Sequence, residues 1–308
     1  MTSAYSPDQI SQYLNFIDLP QQWHPSAKPS LTLDYLTILH IHQISTIPYE
    51  NLSLHYAKDK KVDLNPQVLF HKFLSRKRGG YCMETSIFYY HILRALGFQV
   101  YTAGVRIRLR NEGRPYGKYI GWVHVVNIVT LPDGTKYMID VGFGGDGATK
   151  PLPLIHGHVE HNLGTQDVRL VLQPIPDQVD QSKPLWIYQY RNSPEDDWNS
   201  YYAFPEVEFL EVEFGILNYW TSTSPDSFQT TSMLVVKFQR DGDQIVGKRM
   251  LFNHLVKENP GGKTRLVQEL KTEEERVEAL KVWFGLALTG EEQRGIRGHI
   301  TELGRGKQ

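Results

Sequence analysis

Val123-His124-Val125-Val126-Asn127-Ile128-Val129, then Leu131-Pro132-Asp133-Gly134-Thr135, then Met138-Ile139-Asp140-Val141-Gly142-Phe143-Gly144, is the stretch on which the reading of this 308-residue chain turns. Two β-branched runs flank Pro-Asp-Gly, a composition that suits a type I turn closed by a left-handed glycine. It predicts an antiparallel hairpin with a three-residue loop. Each run carries one ionisable residue among apolar neighbours, and a buried charge without a partner is costly. Register decides whether the two can be partners. A three-residue loop pairs Leu131 with Thr135 and so sets Asp140 opposite Val126. Asp140 then shares a face with His124, one diagonal step away, at roughly 7–8 Å between α-carbons. A two-residue Asp133-Gly134 loop would send Asp140 to the opposite face.

Upstream, Arg78-Gly79-Gly80-Tyr81-Cys82-Met83-Glu84 contains the one cysteine of the chain. Two glycines lead into an apolar-periodic run with Tyr89, Ile92, Leu93 and Leu96 on one face and Gly97 as its stop, which puts Cys82 at a helix start. Unpaired N–H groups and the helix dipole favour a thiolate there and can hold an oxyanion. A solitary cysteine is more often a small buried hydrophobe. A nucleophile needs a base and a group to orient that base. In the reading adopted here, Asp140 fixes the tautomer of His124, His124 takes the proton of Cys82, and the resting state is a thiolate–imidazolium pair. Papain-like proteases and transglutaminases share the order Cys, His, Asp, so a cysteine hydrolase or transglutaminase-like amide enzyme stays open at this point, as does a non-catalytic module.

Further out, the first part of the chain reads as helical. Ser6-Pro7-Asp8-Gln9 is a capping box followed by Ile10, Tyr13, Leu14 and Ile17. Tyr35, Ile38, Leu39 and His42 repeat the pattern, and Asn65-Pro66 opens a helix with Leu69, Phe70, Phe73 and Leu74. From Phe98 the period shifts towards two, with further strands at Val168 to Leu172 and Leu185 to Tyr190. Phe209 to Trp220 reads as a linking helix. Met233 to Gln239 and Gln244 to Phe252 form a hairpin, and Thr272-Glu273-Glu274-Glu275 opens a final helix. Arg294 to Gln308 reads as a loose tail or surface wrap. The expected class is α+β. Residues 1–97 form a helical bundle carrying the nucleophile, 98–208 an antiparallel β-barrel carrying the histidine and aspartate, and 209–308 a linking helix and α/β lid, around a cysteine-protease-like Cys-His-Asp core.

Composition narrows the function. A hydrophobic content of 40% and a formal charge of −1 describe a globular protein with no field to recruit nucleic acid or an anionic membrane. No basic-then-apolar leader and no run of about 18 apolar residues is present, so the chain is read as cytoplasmic. One cysteine excludes an internal disulfide and a thiolate zinc cage. His156, His158 and His161 lie in a Gly-containing loop and read as surface; no metal is expected.

Taken together, these residues resemble the arylamine N-acetyltransferases. Ile47-Pro48-Tyr49-Glu50-Asn51-Leu52 resembles that family's N-terminal signature and Arg78 to Glu84 its nucleophile motif. Val123-His124 and Asp140 to Gly144 resemble its base and orienter, and Ser222-Thr223-Ser224-Pro225-Asp226-Ser227-Phe228 the opening of its third domain. The resemblance implies transfer of an acetyl group from acetyl-CoA to the nitrogen of arylamines, arylhydroxylamines or hydrazines, through a Cys82 thioester in a ping-pong cycle. It implies malonyl-CoA or another short acyl-CoA as an alternative donor. It also assigns Phe143 and Val105 to the acceptor pocket, with ordinary core packing the other reading of Phe143. Gly121, Trp220, Ser224 and Ser227 are assigned to coenzyme contacts. Arg78 and Glu84 are expected in an ion pair or cap, and Tyr81 in packing. A carboxylate-bearing donor would want a cation, for which Arg106, Arg108 and Lys118 are the candidates.

Overall fold

Three helices and a glycine clasp deliver the cysteine to the centre of the protein. The computed structural model describes residues 3–304. Helices α1 (Pro7–Phe16), α2 (Leu33–Thr46), α3 (Ser53–Tyr56), α4 (Pro66–Phe70) and α5 (Cys82–Ala95) occupy the first part of the chain. The predicted capping box of α1 is present: Gln9 N donates to Ser6 Oγ at 3.3 Å and Ser6 N to Gln9 Oε1 at 3.1 Å. Helix α5 is buried along most of its length, with Phe88, Tyr89, Ile92 and Leu93 inaccessible among the side chains of α1, α2 and α4.

One expectation for this part fails. Strand β1 (Tyr49–Glu50) interrupts the helices and pairs antiparallel with β10 (Leu234–Asp241), far away in sequence. Its two residues are too few to show a period, and its partner lies beyond the whole barrel. The same strand bridges Gly80, with Glu50 N donating to Gly80 O at 3.0 Å. A Cβ at Gly79 would lie 1.9 Å from the Pro48 carbonyl oxygen, so only glycine allows this approach.

The barrel strands are β2 (Gln99–Asn111), β3 (Arg114–Thr130), β4 (Lys136–Ile139), β5 (Leu152–Pro153), β6 (Val159–His161), β7 (Asp167–Gln173), β8 (Leu185–Arg191) and β9 (Asn199–Phe204). They form one antiparallel sheet in the order β5-β4-β3-β2-β9-β8-β7-β6. The edge strands β5 and β6 are joined by a short link whose Gly157 N donates to Leu170 O of β7 at 2.8 Å, so the sheet curls into a nearly closed barrel. Closure removes exposed edges. The β3–β4 hairpin has the three-residue turn: Thr130 pairs with Lys136, Leu131 N donates to Thr135 O at 2.9 Å, and Gly134 has φ +85°.

Helix α6 (Glu211–Thr223) and the short α7 (Phe228–Thr231) lead from the barrel to a second sheet of β1, β10, β11 (Gln244–Phe252), β12 (Leu255–Asn259) and β13 (Arg265–Glu269). Helix α8 (Glu273–Phe284) packs on this sheet, and α9 (Gly290–Gly295) follows. Of the two readings of the segment from Arg294, loose tail or surface wrap, the described residues up to 304 show the wrap. Ile296 is buried with Leu280 and Phe284, and the inaccessible Arg276 donates to Thr301 O at 2.8 Å and to Tyr56 Oη at 2.9 Å. A buried guanidinium needs these acceptors, and they hold the segment down. Residues 305–308 lie outside the described part. No helix among the described residues is long and apolar enough to cross a membrane.

Candidate active site

The first turn of α5 is fixed from several directions. Glu84 folds back so that its Oε2 accepts from Tyr81 N at 3.1 Å while Lys72 Nζ lies 2.6 Å from its Oε1. This is the cap expected for Glu84, and the ion pair expected for Arg78 is made with Glu50 of β1, Nε to Oε1 at 2.9 Å, and with Glu292 of α9, Nη1 to Oε1 at 2.8 Å. Tyr81 is buried and its hydroxyl donates to Asn218 of α6. The segment before the cysteine is therefore tied to the first strand, the last helix and the helix over the cavity.

Cys82 is 3% exposed, and its sulfur lies 3.7 Å from Val123 O. His124, on the same strand and next to Val123, donates from Nε2 to Asp140 Oδ2 at 2.8 Å. Asp140 follows directly on β4, and the register predicted from Pro132-Asp133-Gly134 puts both side chains on one face. Gly142 N donates to Asp140 Oδ1 at 3.0 Å. Burial disfavours the imidazolium of His124, but the Asp140 carboxylate and the Cys82 side chain, both bonded to the ring, outweigh burial and push its pKa up to about 10. Gly142 packs against the first turn of α5. A Cβ there would meet Thr85 Oγ1 at 2.7 Å and Cys82 Cα at 2.8 Å.

These side chains open into a cavity of about 530 Å³. The barrel contributes Ile107, Gly121, Trp122, His124, Phe143 and Tyr201; α6, α7 and their link contribute Ile216, Leu217, Trp220, Ser227 and Phe228. Among the nine residues singled out from sequence, Cys82, His124, Phe143, Gly121, Trp220 and Ser227 line this cavity, and Asp140 lies directly behind His124. Val105 and Ser224 are not part of the lining. Val105 is fully buried in the barrel core opposite His124, and the lining residue from its strand is Ile107. Ser224 ends α6, its Oγ accepting from Asp226 N at 3.2 Å. Ser227 caps α7, its Oγ accepting from Gln229 N and donating to Thr221 O at 2.6 Å.

Tyr49, of the Ile47 to Leu52 motif, is a site residue that the sequence does not single out. It lines the cavity beside Cys82, and its hydroxyl accepts from Gln229 Nε2 at 2.6 Å. Burial and the neighbouring Cys82 raise its pKa further, so the phenol stays protonated. Its β1 position, between a proline and a buried glutamate, was the available signal.

Of the three cations suggested for a charged donor, Arg106 stacks on Trp122 at 4.0 Å and Lys118 pairs with Asp177 at 3.1 Å, and neither lines this cavity, whereas Arg108 lines an adjoining one. His158 pairs with Glu160 at 3.0 Å, and no cluster of three metal-ligating side chains occurs among the described residues.

Chemically, the arrangement offers a sulfur nucleophile at a helix N-terminus, a base held by a carboxylate, and an apolar chamber large enough for a small aromatic ligand. Similarity to known proteins agrees with that geometry. A family model described as N-acetyltransferase matches residues 32–293. The chain is 35% identical to N-malonyltransferase FDB2 of Fusarium pseudograminearum (strain CS3096), covering 95% of this chain and 92% of that protein. It is 27% identical to arylamine N-acetyltransferase of Escherichia coli (strain K12) over 74% of this chain and 75% of that one. The solved structure of Mycobacterium marinum arylamine N-acetyltransferase in complex with CoA superposes with a TM-score of 0.75 at 25% identity, covering 93% of this chain and 98% of that one.

Proposed function

Because this chain belongs to the arylamine N-acetyltransferase family and is an acyltransferase, we propose that it moves a short acyl group from a coenzyme A thioester to the nitrogen of an arylamine, arylhydroxylamine or hydrazine through a thioester on Cys82. The observation that carries this reading is the opening of Cys82 and His124 into one apolar cavity, with Asp140 bonded behind the imidazole at 2.8 Å. The Cys82 thiolate attacks the thioester carbonyl, and N–H groups of the first turn of α5 stabilise the oxyanion. Collapse breaks the carbon–sulfur bond to the coenzyme, whose thiolate takes the proton of the His124 imidazolium. The amine then attacks the acyl-Cys82 carbonyl while neutral His124 accepts its proton, and collapse returns the thiolate–imidazolium pair. One acyl group moves, no electrons are exchanged, and the two thiols are chemically matched, so the first half-reaction is near equilibrium.

Both acetyl and malonyl donors fit this scheme. The greater identity to an N-malonyltransferase than to an N-acetyltransferase supports malonyl-CoA as the better donor. Initial rates measured while varying acyl-CoA at several fixed arylamine concentrations test the mechanism. Parallel double-reciprocal lines are expected; intersecting lines would rule out an acyl-enzyme that forms before the amine binds.

A further inference from the structure

A second cavity, of about 380 Å³, shares Ile107, Leu109, Phe143, Tyr201, Phe228 and Leu234 with the first, so the two are branches of one chamber. Their charges differ. Among the described residues, no lysine or arginine lines the branch over Cys82, whose one carboxylate is that of Asp226, whereas the second is walled by Arg108, Arg110 and Asp146. Lys248 of β11 contacts two of its lining residues, Gly145 and Asp146. This lysine is 5% exposed, and its Nζ donates to Gly145 O and stands 3.4 Å from Asp146 Oδ1. Arg110 pairs with the other oxygen of Asp146 and lies over the Tyr201 ring at 4.9 Å. Arg108 bonds only carbonyl oxygens among the described residues, Gly117 O at 2.9 Å and Ser200 O at 3.1 Å. Two cations, Arg110 and Lys248, thus share the one carboxylate of Asp146.

That imbalance is expensive. Burial, then the neighbouring Arg110, lower the Lys248 ammonium to about 8, so the site as it stands does not fully compensate its own charge. A further anion would. Phe143, Tyr201 and Phe228 make the rest of the branch aromatic, and Phe143 also touches the His124 ring at a centroid distance of 5.2 Å. A ligand seated here therefore reaches from the cations towards the reacting centre along one ring.

We propose that the Arg110–Asp146–Lys248 corner is a carboxylate-binding subsite of the chamber, which anchors a substrate whose acid group lies remote from its reacting atom. Two sources of that carboxylate exist, the free end of a malonyl group and an acid substituent on the arylamine. The inference rests on the transfer reaction proposed above, but binding can be measured without turnover. In Cys82→Ala protein, calorimetric titration compares malonyl-CoA with acetyl-CoA and 4-aminobenzoate with aniline. The acid-bearing member of at least one pair is expected to bind about tenfold or more tightly, and the pair that responds identifies the source. That preference is expected to fall to about twofold or less in Arg110→Gln and to recover in part in Arg110→Lys. Lys248→Met should behave as Arg110→Gln does; Arg110, at 38% side-chain exposure, keeps the test available if the buried variant does not fold. No preference in either pair, or a preference untouched in Arg110→Gln, would overturn the subsite. Loss of the Cys82 acyl adduct would instead overturn the transfer reaction, and leaves these titrations readable.

Discussion

The two walls of the main cavity are built differently. On the barrel side, Cys82, His124, Asp140 and Gly142 are buried and bonded to one another or to neighbouring backbone. On the opposite side, α6 presents Ile216 at 71% exposure and Trp220 at 42%. The first wall is a set of closely held polar contacts, the second an apolar surface half open to water. The transfer proposed above depends on sub-ångström placement, which the more closely bonded wall can supply. The covering wall has only to exclude water and grip an apolar stem, which looser packing can do.

If that division is right, substitutions on the first wall alter rate and those on the second alter affinity. Cys82→Ala should abolish transfer, by at least 10⁴-fold, while thermal unfolding shows the fold intact. Asp140→Asn keeps the shape of the site but releases His124 from its anion, and kcat should fall roughly 10³-fold; single-turnover acylation measures it. Gly142→Ala forces a methyl against Cys82 Cα and Thr85, and should cost about 10²-fold in kcat together with about 1–3 kcal/mol of stability in denaturant unfolding. Acylation of Cys82 followed against pH should persist until the imidazolium is lost near pH 10. The sign for stability is the same: the raised pKa of His124 contributes fully below about 6.5 and is lost as pH rises through about 10. A decline already centred near 6.5 would mean that His124 and Asp140 do not act together. The smallest effect belongs to the covering wall. Trp220→Ala should raise KM for the acyl-CoA about five-fold, near 1 kcal/mol, with kcat little changed; an equal fall in kcat would erase the contrast between the walls.

The same contrast separates what sequence makes legible from what it hides. His124 and Asp140 can be brought together on paper because Pro132-Asp133-Gly134 fixes a local register, and the turn forms as its composition requires. Cys82 is legible because two glycines and an apolar period mark a helix start. The cavity roof is legible only as a helix, since nothing in Glu211–Thr223 says which face looks at Cys82. Tyr49 stayed hidden because its strand pairs with Val236, across the entire barrel. Arg110, Asp146 and Lys248 come from three separate segments and meet only in the folded chain. The burial of Ile296 and the bond from Arg276 to Thr301 O are hidden for the same reason, since a glycine-rich stretch shows no period even when it is anchored by a buried guanidinium. Local chemistry writes turns and helix ends into sequence; long-range seats are decided by complementarity.

The central claim is that Cys82 carries the acyl group. Intact-protein mass spectrometry with peptide mapping, after mixing with malonyl-CoA or acetyl-CoA and no amine, tests it directly. The account predicts one acyl group per chain on the Cys82 peptide, discharged when an arylamine is added. No adduct with either donor, or an adduct that survives in Cys82→Ala, would contradict it.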